Sequence, residues 1–554
     1  MGDANQSTTM DRSAPKLKRI LGLAEEPSGG STPLTLAGRI SPPPMKKRRP
    51  SKLPATEGTP EVSLTGAEVQ EANIVASSRQ IFRSPFQLTR IKDLPNELNR
   101  DTVTLKDLLG DPLISECWEF NYLHDIDFLM AAFDEDVRHL VKVHLVHGFW
   151  KKDDPNKAKL EKQASQHKNV TLHPAHLPEM FGTHHTKMMI LLRHDDTVQI
   201  IIHTANLIIR DWTNMTQAVW QSPLLPLLPK LPPPDPPSPQ IGTGAKFKLD
   251  FLNYLRAYDS NRKYKSFGSI IETLTKHDFS SIRGALIGSV PGRHGPDIPT
   301  QWGWPALKGS LKSVPVTSQP DGESSIAIQI SSIATLGPTD KWLRDTLFPA
   351  LGGNKKGVDF KIVFPTTDEI RKSLDGYASG GSIHTKTQSA QQKKQLEYLR
   401  PMFCHWGNDS AEGKELGEGV AVKEVGRKRA APHIKTYVRF GEREGERIDW
   451  ALVTSANLSK QAWGEARGNS GEVRIASYEL GVLVWPGLYA EDAVMKASFL
   501  QDTVADKGEG SGSVVSLRIP YNLPLQHYAK HEVPWVATAD HNEPDWKGQI
   551  WQHR

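Results

Sequence analysis

The stretch HHTKMMILLRHDDTVQIIIHTANL, residues 184–207, decides the fold. It reads as an apolar strand, a polar break at Arg193 to Thr197, and a second apolar strand, which is the pattern of a β-hairpin. Side chains two apart on a strand share a face about 7 Å apart, so His185 and Lys187 point the same way and His184 points oppositely. Asn206 follows the second strand, where the hairpin returns it beside the start of the first. An imidazole, an ammonium and a carboxamide are thereby predicted to converge.

The same device recurs in PHIKTYVRFGEREGERIDWALVTSANL, residues 432–458. His433 and Lys435 have strand spacing, a charged turn with flanking glycines follows, and a second strand ends on Asn457. Histidine to asparagine is 21 residues in the first copy and 24 in the second, and the histidines are 248 apart. A lone histidine in such a strand reads best as a core residue with its hydrogen bonds met. Two matched frames with matched endings, HTANL and TSANL, instead predict an internal duplication. A third His-x-Lys, His384 and Lys386 in GGSIHTKTQSAQQKKQ, lacks the apolar alternation and is read as a loop entering a polar helix.

A phosphodiester repels nucleophiles, so cleaving it takes charge neutralisation, a nucleophile and a proton donor for the departing oxygen. Two lysines and two asparagine amides provide donors for the nonbridging oxygens, and two histidines provide the rest. One neutral imidazole attacks phosphorus to give a phosphohistidine. The other, as imidazolium, protonates the leaving group and then deprotonates water. No metal and no cofactor is called for by this scheme.

The arrangement resembles the phospholipase D superfamily, in which two His-x-Lys motifs meet across a pseudo-twofold axis. Most of its members carry an aspartate shortly after the lysine, and here MMILL and TYVRF stand in those places. With asparagine in the third role, and with GTHHTKMM, PHIKTY, TSANLSKQAWG, SYELGVL, FNYLHDIDFLM, LIGSVPGRH and SLDGYASGGS, residues 81–554 are similar to the tyrosyl-DNA phosphodiesterases of the first type. The resemblance implies His185 as nucleophile and His433 as acid and base, with crosswise support: Glu479 for His185, Gln217 for His433. A carboxylate suits the ring that gains charge, and a neutral amide orients the acid without weakening it. It also implies DNA contacts at Gly182, Phe181, Tyr122, Ser332, Ser459 and Lys460, although core packing is the competing reading for Phe181 and Tyr122. The implied substrate is DNA carrying a 3′ phosphotyrosyl or other 3′ adduct, with a peptide derived from a type IB topoisomerase, processed in repair of strand breaks. A phenol leaves more easily than an alkoxide because its pKa is near 10. A nonspecific nuclease of the same superfamily, and a noncatalytic nuclear DNA-binding scaffold, are the alternatives; the completeness of both motifs argues against the scaffold.

The rest of the chain sets the frame. At 554 residues it exceeds the roughly 250–300 at which single cores stop growing, so two large units are expected. These are two α/β halves, each a mixed β-sheet flanked by helices, spanning 81–295 and 296–554 with the active site between them. Residues 1–80 are rich in Ser, Pro, Thr and Lys, too polar to offset their ordering entropy, and read as a tail. Within the tail, PPPMKKRRPSK groups Lys46, Lys47, Arg48 and Arg49 as a nuclear import signal. The nucleus is the expected location, and deleting the tail is expected to reduce nuclear accumulation while sparing the chemistry. Two cysteines, Cys117 and Cys404, far apart in sequence, make neither a disulfide framework nor a zinc site. The opening MGDANQSTTMDRS lacks the apolar core of a signal peptide, and no run reaches the roughly 20 apolar residues of a membrane span, so a protein neither secreted nor membrane-spanning is expected, and a monomer is expected besides. The net charge of +5 permits a polyanionic partner without requiring one. Residues 222–244 and 407–430 read as loops remote from the chemistry, the second bringing Lys423, Arg427, Lys428 and Arg429 as cations that favour an anion nearby.

Overall fold

In the hairpin that opened the sequence reading, Met188–Arg193 pairs antiparallel with Thr197–His203, in register from Met188 opposite Ile202 to Leu192 opposite Val198. Aliphatic, mostly β-branched residues favour the pleated conformation. The turn is closed by Asp195, whose Oδ1 accepts from the Thr197 backbone N–H and hydroxyl, while Asp196 takes a left-handed conformation (φ 59°) that aspartate tolerates. This computed structural model describes residues 80–553 apart from 152, 231–238, 261–264, 317–323, 354–356, 408–420, 443 and 506–511. The basic tail and parts of the two expected loops lie outside the described residues.

Two mixed sheets carry the fold, with eight and ten strands. Six strands of the smaller sheet recur in the larger with the same chain order, spatial order and sense. In chain order the first set is Ile114–Phe120, Lys142–His147, Val170–Pro174, Met188–Arg193, Thr197–His203 and Ala218–Gln221. The second is Ser324–Gln329, Val358–Val363, Phe403–Cys404, Thr436–Phe440, Ile448–Thr454 and Glu479–Val484. Across each sheet they run sixth, fifth, fourth, first, second, third. In each set the first, second and third strands are mutually parallel neighbours, and the remaining pairs are antiparallel. Six strands with identical connectivity are what an internal duplication leaves behind. Ala285–Ser289, just before the proposed dividing line near 295, pairs with Glu479–Val484 and so belongs to the larger sheet.

Residues from both sheets meet in one core. Ile190, Ile200 and Ile202 of the smaller sheet and Val438, Val453 and Leu480 of the larger belong to a single buried cluster. The helix Gly244–Tyr258, capped by the Thr243 side chain, adds Phe247, Phe251, Tyr254, Leu255 and Tyr258. Truncating a buried phenylalanine such as Phe251 to alanine costs about 3–5 kcal/mol. This core fixes the sheets against each other, and with them the ends of the two hairpins.

The second expected loop departs from its reading. Arg427 is fully buried and donates from Nη1 to the Thr89 carbonyl oxygen at 2.9 Å. Lys423 lies over the Phe499 ring and Arg429 over the Trp546 ring, so these cations pack on the protein itself. None of them lines the cleft described next.

Candidate active site

Each His-x-Lys motif immediately precedes the fourth strand of its set, and each asparagine follows the fifth, so the repeat delivers both triads to corresponding sheet ends. Backbone pairing then crosses between the halves. His184 bridges Tyr478, with the His185 N–H donating to the Tyr478 carbonyl at 3.0 Å. Pro432 bridges Thr216, whose carbonyl accepts from the N–H groups of His433 at 3.1 Å and Ile434 at 2.8 Å. Residues 478 and 216 directly precede Glu479, the first residue of its sixth strand, and Gln217, the residue just before the other. Each histidine is therefore laid by main-chain hydrogen bonds against the residues that lead into the sixth strand of the other half.

The side chains complete the crossing. His185 Nδ1 donates to Glu479 Oε2 at 2.9 Å, and Ser455 Oγ donates to the same oxygen at 2.5 Å. His433 Nδ1 lies 3.0 Å from Gln217 Nε2, and Thr204 Oγ1 donates to Gln217 Oε1 at 2.8 Å. Thr204 and Ser455 occupy the same place in HTANL and TSANL, two residues before the asparagine. Lys187 donates to the carbonyl of His185 and Lys435 to that of His433, again alike in both copies. Asn457 Oδ1 accepts from the Ser331 and Ser332 backbone N–H groups, which turns its NH₂ away from them. His184 faces the interior as its strand parity requires, against the Asn121 carbonyl and the Tyr258 hydroxyl, and burial pushes its imidazole down to about 3.

These groups surround a cleft of about 710 Å³. His185, Asn206, His433, Asn457 and Glu479 line it, as do Tyr122, Phe181, Ser332, Ser459 and Lys460. Phe181 is 79% exposed and Tyr122 39%, so both are available at the surface rather than packed in a core. Lys187, Lys435 and Gln217 are fully buried behind the lining residues. Gly182 is not a lining residue; it is where two backbones press together, since a Cβ there would stand 2.2 Å from the Ala476 carbonyl oxygen.

Burial sets the electrostatics. It pushes the Lys187 ammonium down to about 8, opposed by Glu479, Asp211 and Glu119. Lys435 is driven well below its ordinary value by burial and by Lys187. Two ammonium groups held near each other in a poorly solvated floor gain from an entering anion, which restores their protonation. Glu479 would be raised by burial, but His185, Lys187 and Ser455 more than offset that and hold it below the ordinary range. Burial lowers His185, and lowers His433 well below the ordinary imidazole range with help from Lys435, Lys187, His185 and His384.

Two features escaped the sequence reading. Asp211, fully buried, places Oδ2 3.2 Å from His433 Nδ1 and accepts from the Asn206 backbone N–H at 2.7 Å. It lies in NLIIRDW, five residues after Asn206, and the matching position after Asn457 is Ala462, so the repeat gives no hint of it. His384 and Lys386 are exposed residues of a loop before the helix Ala390–Leu399, as expected, yet that loop pairs with Ser331 to Ile333 and brings both side chains to the cleft.

A duplicated six-strand frame with paired His-Lys-Asn triads at one cleft is the architecture of the phospholipase D superfamily. Residues 85–529 match the tyrosyl-DNA phosphodiesterase family. The chain is 33% identical over 543 residues to a probable tyrosyl-DNA phosphodiesterase of Schizosaccharomyces pombe, covering 86% of this chain and 96% of that one. It is 29% identical to tyrosyl-DNA phosphodiesterase 1 of Arabidopsis thaliana, covering 84% and 76%. The crystal structure of the yeast tyrosyl-DNA phosphodiesterase shares the fold, with a TM-score of 0.57 at 20% identity over 81% of this chain and 98% of that one. The chain belongs to the tyrosyl-DNA phosphodiesterase family, and is a phosphodiesterase.

Proposed function

We propose that the cleft hydrolyses the bond between a tyrosine hydroxyl and a DNA 3′ phosphate in two steps through a phosphohistidine on His185. The observation that carries this reading is the unequal partnering of two otherwise matched rings. Because Glu479 accepts the Nδ1 proton of His185, Nε2 of that ring keeps its lone pair, and the carboxylate balances the charge gained on attack. The new N–P bond forms as the P–O bond to the phenol breaks, and His433 Nε2 supplies the proton that the phenolate oxygen takes up. Water then attacks phosphorus, the P–N bond breaks, and His433 receives the water proton. The products are a tyrosyl peptide and a 3′ phosphate.

The asparagine amides and the two lysines stabilise the pentacoordinate oxygens, with the ammonium groups acting from the buried floor. At the mouth, exposed Phe181 offers a face on which a base can stack, and Lys460 and Lys386 offer charge for phosphates. Strand DNA ending in the adduct fits such a mouth.

The test compares a labelled 3′ phosphotyrosyl oligonucleotide with the unmodified strand, both in chelator, by acid quench. Turnover of the adduct alone is expected, with His433→Ala trapping more labelled protein than wild type and His185→Ala trapping none. Equal cleavage of the unmodified strand would make the protein a nuclease, and a full-rate His185→Ala variant would rule out covalent catalysis at that residue.

A further inference from the structure

The amide of Gln217 can be oriented from its surroundings. One end faces the main-chain carbonyl of Asp211 at 3.3 Å, an atom that only accepts, so that end is the NH₂. The other end takes the Thr204 hydroxyl at 2.8 Å and is the carbonyl oxygen. The NH₂ is also the closer end to His433, 3.0 Å from Nδ1 against 3.3 Å for the carbonyl oxygen, so this orientation of Gln217 favours donation to a ring whose Nδ1 is bare. Yet His433 in the proposed scheme must carry a proton on Nδ1 both as imidazolium and, once Nε2 is free to act as base, as the neutral ring. That proton needs an acceptor, and two oxygens lie in reach: Gln217 Oε1 at 3.3 Å, which already takes the Thr204 hydroxyl, and the charged Asp211 Oδ2 at 3.2 Å.

We propose that Asp211 is the positioning residue that accepts the Nδ1 proton of His433 through the acid and base steps, Gln217 holding the ring when Nδ1 is bare. The proposal rests on the two-step reading above. Asp211 Oδ2 stands 3.2 Å from Nδ1, its carboxylate is fixed by the Asn206 N–H, and Ser382 Oγ lies 3.5 Å from Oδ1. Lys435, Lys187 and Arg210 are the cations acting on Asp211, while Lys435, Lys187, His185 and His384 act on His433. Burial raises the carboxyl of Asp211 and lowers the imidazole of His433. No bond to phosphorus involves Asp211; the Nδ1 proton stays between carboxylate and ring while Nε2 gives and regains the catalytic one.

Asp211→Asn keeps an oxygen for the Asn206 N–H and removes only the charge. A carboxylate favours the imidazolium, so its loss moves the alkaline limb of kcat/KM to lower pH, by about one unit, or about tenfold in rate on that limb. A 4-nitrophenyl leaving group, which needs less protonation, is expected to lose less than a tyrosyl one. Rates are normalised to the burst of labelled protein, which counts folded sites only. A uniform loss at every pH and for both leaving groups would reduce Asp211 to a support for Asn206 and overturn the proposal, as would unchanged profiles. Absence of any wild-type adduct would instead remove the two-step reading itself, so the two failures are distinguishable.

Discussion

Glu479→Gln isolates the charge that supports the attacking ring. Glu479 is 4% exposed, and its Oε2 accepts two hydrogen bonds, from His185 Nδ1 at 2.9 Å and Ser455 Oγ at 2.5 Å. Glutamine keeps an acceptor in the same place and loses the negative charge. A hydrogen bond to an ionised group is worth about 1.5–3 kcal/mol and a neutral one about 0.5–1.5, so the substitution removes about 1–2 kcal/mol. Because His185 becomes cationic only as it attacks, that loss falls on the transition state and lowers the rate of adduct formation roughly 5- to 30-fold. KM for the oligonucleotide is expected to change far less. The wild-type carboxylate is held below the ordinary range, so its contribution is present above that range and lost as pH falls through the depressed value; the comparison therefore belongs near neutral pH. The assay is single-turnover quenched flow with labelled 3′ phosphotyrosyl DNA. If adduct forms at the wild-type rate, or if the whole defect lies in KM, the carboxylate does not stabilise a charge developing on His185.

Gly182→Ala is expected to lower stability by about 1–3 kcal/mol and activity with it, because the new methyl meets the Ala476 backbone oxygen and displaces the strand leading to Glu479. Unchanged melting and turnover would show that this crossing has slack. Lys386→Gln should raise KM severalfold at low salt and make the salt dependence of binding shallower by about one charge, with kcat within about twofold of wild type. A KM indifferent to the substitution would take Lys386 out of the path of the nucleic acid.

Both triads were legible in the sequence because strand periodicity fixes the direction of residues two apart, and because the second copy repeats the first from histidine to asparagine. Glu479 and Gln217 had no local signal beyond the apolar run around Glu479. Their position becomes intelligible only once they stand where equivalent sixth strands begin, at 22 and 11 residues from the two asparagines. Arg427 was misread for the opposite reason: its neighbourhood looks solvated in sequence, and its burial follows from a long-range hydrogen bond to Thr89. His384 and Lys386 carried the right residues in a loop, and nothing local says where a loop returns.

A duplicated frame raises a difficulty that its own divergence resolves. Two identical rings in identical surroundings would share nucleophile and acid roles equally, and a productive complex needs one of each at the same moment. The repeat supplies matched strands, hydroxyls and lysine contacts, so the inequality has to come from the positions at which the copies differ. Glutamate against glutamine where the sixth strand begins gives one ring a permanent proton acceptor and the other an amide whose nearer end is a donor. Asp211 against Ala462 then gives the second ring an acceptor of its own, in a place where Lys435 and Lys187 lie close enough to act on it. The first ring thus has one partner and one tautomer, as a nucleophile requires. The second has two partners of opposite hydrogen-bonding sense, and a ring that must be acid in one step and base in the next is the one that needs both.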